Sequence, residues 1–111
     1  MKKLMGNVKA AASIELAEAN KNWPAFRSCH EGFGVITEEM VEAMTEIDDC
    51  ATYMDAMRKD LSVHNGTDRR VMLEFANAAL RAACEMIQVS AMCVKYVNSM
   101  AEWPKQEEKD A

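Results

Sequence analysis

Between Pro24 and Pro104 the chain carries no proline, and its glycines there are confined to Gly32, Gly34 and Gly66. Proline removes a helix donor, and glycine costs about 1 kcal/mol in a helix interior. This distribution therefore reserves two long, uninterrupted stretches for helix, and an all-α fold follows. The 10 methionines and the many Ala, Glu and Lys residues point the same way, since all are good helix formers. With 111 residues, 50% of them hydrophobic, the chain suits a single domain over residues 1–103. Residues 104–111 read as a charged, disordered tail.

Three helices are expected. The first runs from about Val8 to Asn22, with Ala11, Ile14, Leu16 and Ala17 on its apolar side, and stops where Pro24 pushes Trp23 out of the helical region. Residues 25–29 read as a loop, with Trp23 and Phe26 plugging the end of a small bundle or stacking on a base. The second helix spans about Glu31 to Lys59 or Asp60. On a wheel of about 100° per residue, Phe33, Ile36, Met40, Ala43, Met44, Ile47, Ala51 and Met54 form one apolar stripe. Glu31, Glu38, Glu42 and Asp49 lie nearly opposite, while Glu39 and Glu46 sit on the shoulder. The run His64-Asn65-Gly66 marks a turn, and Thr67 or Asp68 is the expected N-cap of a third helix from Arg69 to about Met100. Its segment EMIQVSAMCVKYV, from Glu85 to Val97, is apolar on nearly every face and is expected to be central and buried. Together these features predict a bundle of long antiparallel helices, completed by oligomerisation because three helices leave that segment incompletely covered.

Several function classes are excluded on composition. The 18 acids and 13 bases leave a net charge of -5, which favours small cations over nucleic acid. Asn7, Lys9 and Glu15 interrupt any signal-peptide core, and no run reaches membrane-spanning length, so a cytoplasmic protein with no membrane partner is expected. Cys29, Cys50, Cys84 and Cys93 contain no CxxC pair and read as reduced, buried thiols. A zinc site from Cys29, His30, Cys50 and His64 matches no structural-zinc spacing. A di-iron bundle needs Glu-x-x-His pairs that are absent.

Carboxylates carry the chemical signal. An unpaired ionised carboxylate in surroundings as apolar as those of Glu85 would cost several kcal/mol, so Glu85 needs a partner or a cation. Arg81, one turn earlier, is the ordinary candidate. Glu39 and Glu42, spaced i, i+3, set two more carboxylates side by side, and their repulsion is relieved by a hard divalent cation with oxygen ligands. Glu85 and the amide oxygen of Gln88 could complete such a site from the other helix. His30 makes a local hydrogen bond, or caps the second helix or contacts phosphate, and His64 is a turn residue.

The run SCHEGFGVITEEMVE from Ser28 to Glu42, with EMIQVSAM from Glu85 to Met92, resembles the MazG-like, all-α nucleoside triphosphate pyrophosphohydrolases. The resemblance covers about Trp23 to Met100. It implies that Glu39, Glu42 and Glu85 ligate Mg²⁺ or Mn²⁺, and that Gln88 stands at the fourth ligand site, where the family usually has Asp. It further implies that Glu38 positions or deprotonates the attacking water, and that the triphosphate is cleaved between its α and β phosphates to a monophosphate and pyrophosphate. A triphosphate approaching this acidic chain needs bridging cations, and Lys95, Arg81 and the Arg69-Arg70 pair are the basic groups that could reach it. A homodimer or homotetramer is expected. The alternative is a helical assembly or regulatory protein that keeps the fold without turnover, motivated by the neutral Gln88.

Overall fold

The computed structural model describes residues 1–63 and 66–103, and among these every regular element is helical. Three helices follow in order: α1 (Lys2–Ala19), α2 (Cys29–Val63) and α3 (Arg69–Ser99), the last running into a short 3-10 turn at Met100–Glu102. Among the described residues no helix is long and apolar enough to cross a membrane. The expected tail, 104–111, and His64 and Asn65 of the expected turn lie outside the described residues.

Helix boundaries follow local chemistry. α1 begins six residues before the expected Val8 and ends at Ala19, earlier than Asn22, with Asn20 N–H donating to the Leu16 carbonyl. α2 begins at Cys29 because Ser28 caps it: its Oγ accepts from the Glu31 N–H at 3.2 Å and its carbonyl accepts from Gly32. Ser28-Cys29-His30-Glu31 has the spacing of a capping box. α3 is capped by Asp68, whose Oδ1 accepts from the Arg70 N–H at 2.8 Å, while the Thr67 hydroxyl donates to Asp60 instead. Thr37, Thr45 and Thr52 are tolerated inside α2 because each hydroxyl donates to the carbonyl four residues back.

The contacts gather into two compact units, one made of Met1–Met40 with α3 from Met86 onward, the other of Val41–Glu85. In the first unit Phe26, Ala91 and Met92 form the core, with Leu16, Ala19, Val35, Ile36, Tyr96 and Trp103 packed against them. The loop carrying Phe26 is latched from both sides of its peptide. The buried Ser99 hydroxyl accepts from the Phe26 N–H at 2.9 Å and donates to the Lys95 carbonyl, and the Trp103 indole donates to the Phe26 carbonyl at 3.1 Å. Gly32 is required here, since a Cβ would stand 2.6 Å from the Tyr96 ring, itself held edge-on by Trp103. Of the two aromatics expected to plug this end, only Phe26 does so. Trp23 is 65% exposed and carries the Arg27 guanidinium over its face.

The second unit is built differently. Among its described residues the fully buried apolar ones are two alanines, Ala43 and Ala78; α2 meets α3 through the stacked rings of Tyr53 and Phe75 and the Arg81–Glu46 ion pair, and Thr67, just before α3, donates to Asp60 of α2.

The α2 stripe is only partly a core in this chain. Ala43 is buried and Ile36 and Met40 are half-buried, but Phe33, Met44, Ile47, Ala51 and Met54 are exposed. The stretch expected to be buried all round is likewise one-sided: Val89, Ala91, Met92 and Lys95 are covered, while Met86, Cys93, Val94 and Val97 are open. The cysteines are free as expected but not buried, with Cys29, Cys84 and Cys93 exposed and Cys50 half-buried. In each case the apolar arc is wider than one neighbouring helix can cover.

Candidate metal centre

Glu42 and Glu85 face one another from α2 and α3 in the second unit. The pairing follows the register of the neighbouring Glu46–Arg81 contact, because Glu42 lies one turn before Glu46 and Glu85 one turn after Arg81. Glu39 lies one turn earlier on the uninterrupted α2, so the helix itself sets it beside Glu42. Within the second unit the Glu42 and Glu85 carboxyl groups meet in a hydrogen bond, and Glu39 offers a further carboxylate one turn before Glu42 on the same helix.

The electrostatics of Glu85 reflect this crowding. Its carboxyl is held above the usual carboxylate range, first by burial, then by the charge of Glu42 and a hydrogen bond with it, and last by the charge of Glu46. Such a hydrogen bond between two carboxyl groups needs a proton between them. Glu85 Oε2 is buried and finds no hydrogen-bond partner. The ion pair expected with Arg81 does not form, because Arg81 Nε donates instead to Glu46 Oε2 at 3.0 Å. That partner also holds the guanidinium more firmly protonated than usual.

Gln88 and Glu39 line a cleft of about 230 Å³ in the first unit, together with Ala91, Met92 and, from α1, Glu15, Glu18 and Ala19. Glu15 and Glu18 were not among the candidate residues read from the sequence. Their i, i+3 spacing repeats that of Glu39 and Glu42 and was the available signal. Glu38 is exposed on α2, next in sequence to the cluster. His30 is exposed, with the capping role taken by Ser28. Lys95 is not presented to a ligand: it is 5% exposed and its ammonium sits 4.9 Å from the centre of the Phe26 ring.

The donor set suits a hard divalent cation. The Glu42 and Glu85 carboxyl groups supply only oxygen, their charges repel one another without a counter-charge, and one Glu85 oxygen is buried without a donor; Glu39 adds a carboxylate one turn before Glu42 on α2. Mg²⁺ or Mn²⁺ held by Glu42 and Glu85 would offset the repulsion that raises the Glu85 pKa and satisfy that oxygen. Compared with models of protein families, with curated proteins and with solved structures, the chain matches none.

Proposed function

We propose that the protein is a Mg²⁺- or Mn²⁺-dependent nucleoside triphosphate pyrophosphohydrolase of the MazG-like kind, yielding a monophosphate and pyrophosphate. The observation that carries this reading is the meeting of the Glu42 and Glu85 carboxyl groups, with Glu39 one turn before Glu42 on the same helix and a Glu85 oxygen buried and without a donor. When bound, the cation supplies charge neutralisation for the phosphates and lowers the pKa of a water. Glu39, Glu42 and Glu85 hold that charge in place, and their rigid helical backbones keep the ligand oxygens oriented before substrate arrives. Glu38, exposed and adjacent in sequence, orients the attacking water and takes its proton. Gln88 offers an amide oxygen at the fourth position, or an amide N–H to a substrate acceptor. Arg81, about half exposed, is the nearest cation in sequence for a phosphate oxygen.

An antiparallel α2–α3 hairpin completed by a second copy is part of the proposal. Pairs Glu42–Glu85, Glu46–Arg81 and Tyr53–Phe75 advance on α2 as they retreat on α3, and the apolar residues left open on both helices are too many for an isolated surface. The same open faces favour a second reading, a helical assembly protein without turnover. It dispenses with a working fourth ligand and so accommodates Gln88.

Incubation with a panel of nucleoside triphosphates and Mg²⁺ or Mn²⁺, with pyrophosphate as the readout, separates the two. Turnover is expected in the wild type and lost in Glu39→Gln, which keeps its helical content and its assembly state. A folded oligomer inactive on every nucleotide would establish the assembly reading instead.

A further inference from the structure

Directly beside the Glu42–Glu85 pair stands another carboxylate, Glu46, one turn after Glu42 on the same face of α2. It is close enough for its charge to be felt at Glu85. Yet Glu46 does not join the cluster: its Oε2 is taken by Arg81 Nε at 3.0 Å, and Arg81 lies one turn before Glu85 on α3. Two successive layers of the α2–α3 contact thus differ in sign. The Glu42–Glu85 layer is anionic and is fit for a cation, whereas the Glu46–Arg81 layer is neutral.

We infer that Arg81 is a positioning residue that withholds Glu46 from the cation site, so that the ion pair sets how many carboxylates a divalent cation meets. The inference rests on the cation-site reading above. Glu46 is half-buried, with 22% of its side chain exposed, and would be left without its donor if Arg81 were removed. A half-buried carboxylate released in this way is drawn toward the nearest positive charge, which in the loaded protein is the cation one turn away. The Arg81 side chain is 51% exposed and free to exchange partners, so an anionic ligand such as a phosphate oxygen competes with Glu46 for it. Arrival of phosphate at Arg81 would then release Glu46 and strengthen cation binding.

The test is a Mn²⁺ titration by calorimetry on the full chain, in wild type, Arg81→Gln, Arg81→Lys, Glu46→Gln and the Glu46→Gln/Arg81→Gln pair, with circular dichroism and thermal melts as controls on folding. Arg81→Gln is expected to tighten Mn²⁺ by roughly tenfold, the order of one added close charge contact. Arg81→Lys, which keeps the ion pair, should stay near the wild type. In the Glu46→Gln background, removal of Arg81 should change little. Equal tightening in both backgrounds would mean that Arg81 acts only as a distant charge, and no tightening would mean that Glu46 stays away from the site; either result overturns the inference while leaving the cation site standing. Binding absent from every variant overturns the cation site itself, and binding gained only on removal of Arg81 supports the inference.

Discussion

The two units draw on the same pair of long helices and are held together by different means. Around Phe26, Ala91 and Met92 the chain buries side chains of real size, and Ser99 and Trp103 tie down both polar groups of the Phe26 peptide. In Val41–Glu85 the buried apolar residues among those described are alanines, the α2–α3 contact rests on an aromatic stack and an ion pair, and a hydrogen bond ties Thr67, ahead of α3, to Asp60 of α2. A partly exposed ion pair contributes about 1 kcal/mol or less, whereas burying a large apolar side chain contributes about 1.5–3 kcal/mol. The difference teaches where each unit gets its order: the first from its own core, the second from an aromatic stack and from polar groups that keep the helices in register.

The most disruptive test of that contrast is Phe26→Ala against Ile47→Asp. Truncating Phe26 removes the centre of the first core and should destabilise the chain by about 3–5 kcal/mol, read as a large drop in melting temperature. Ile47 is 48% exposed in the isolated chain, so an acid there should leave helical content intact and act on assembly, shifting light scattering toward monomer. If Ile47→Asp unfolds the chain as Phe26→Ala does, the second unit has a core of its own and the contrast fails.

A finer test lies within the first unit, at two glycines of α2. Gly32→Ala drives a methyl into the Tyr96 ring, which Trp103 prevents from yielding, and should cost about 1–3 kcal/mol. Gly34→Ala meets nothing within 4 Å and should stabilise by up to about 1 kcal/mol through helix propensity alone. Thermal melts of opposite sign from positions two residues apart are expected, and a shared sign would mean that the Tyr96 contact is soft.

Breaker positions and caps made most of the helical layout legible in the sequence. Pro24 and Gly66 delimit α2 and α3, Asp68 caps as expected, and the wheel correctly set Glu39 and Glu46 apart from the exposed Glu31, Glu38, Glu42 and Asp49. The capping box at Ser28 was written in the sequence but overlooked. Which apolar residues are covered was not legible, because the stripe from Phe33 to Met54 says that a face is apolar and not what lies on it. At the candidate site, the spacing of Glu39 and Glu42 and the apolar setting of Glu85 were readable. The partner of Arg81 was not: Glu85 is one turn away on its own helix and Glu46 is 35 residues away, and only packing decides between them.

Gln88 tests whether the first unit supplies a ligand. Replacing it by Asp puts an anionic oxygen at nearly the same reach, so Mg²⁺ affinity should rise roughly tenfold, about 1.4 kcal/mol, with a lower melting temperature of the metal-free form. Unchanged affinity with the same fall in melting temperature would remove Gln88 from the ligand set.

The smallest expected effect, and the one that isolates the second unit, is the pH dependence of Glu85. Burial, then Glu42, then Glu46 raise its pKa above the ordinary 4.5, so the folded chain holds that proton more tightly than the unfolded chain does. The stabilisation from this group is complete below about pH 4.5 and is lost as pH rises through the raised value. Glu85→Gln carries no titrating group there and still offers an N–H to Glu42. In chelator, therefore, the wild type should fall progressively below the variant in melting temperature as pH rises from about 4.5 to about 8. Added Mg²⁺ should reverse the order, because the cation takes the place of the proton in the wild type and finds one carboxylate fewer in the variant. Melting curves that stay parallel across this range would show that Glu85 titrates as a solvated carboxylate, and the crowding inferred for the second unit would be wrong.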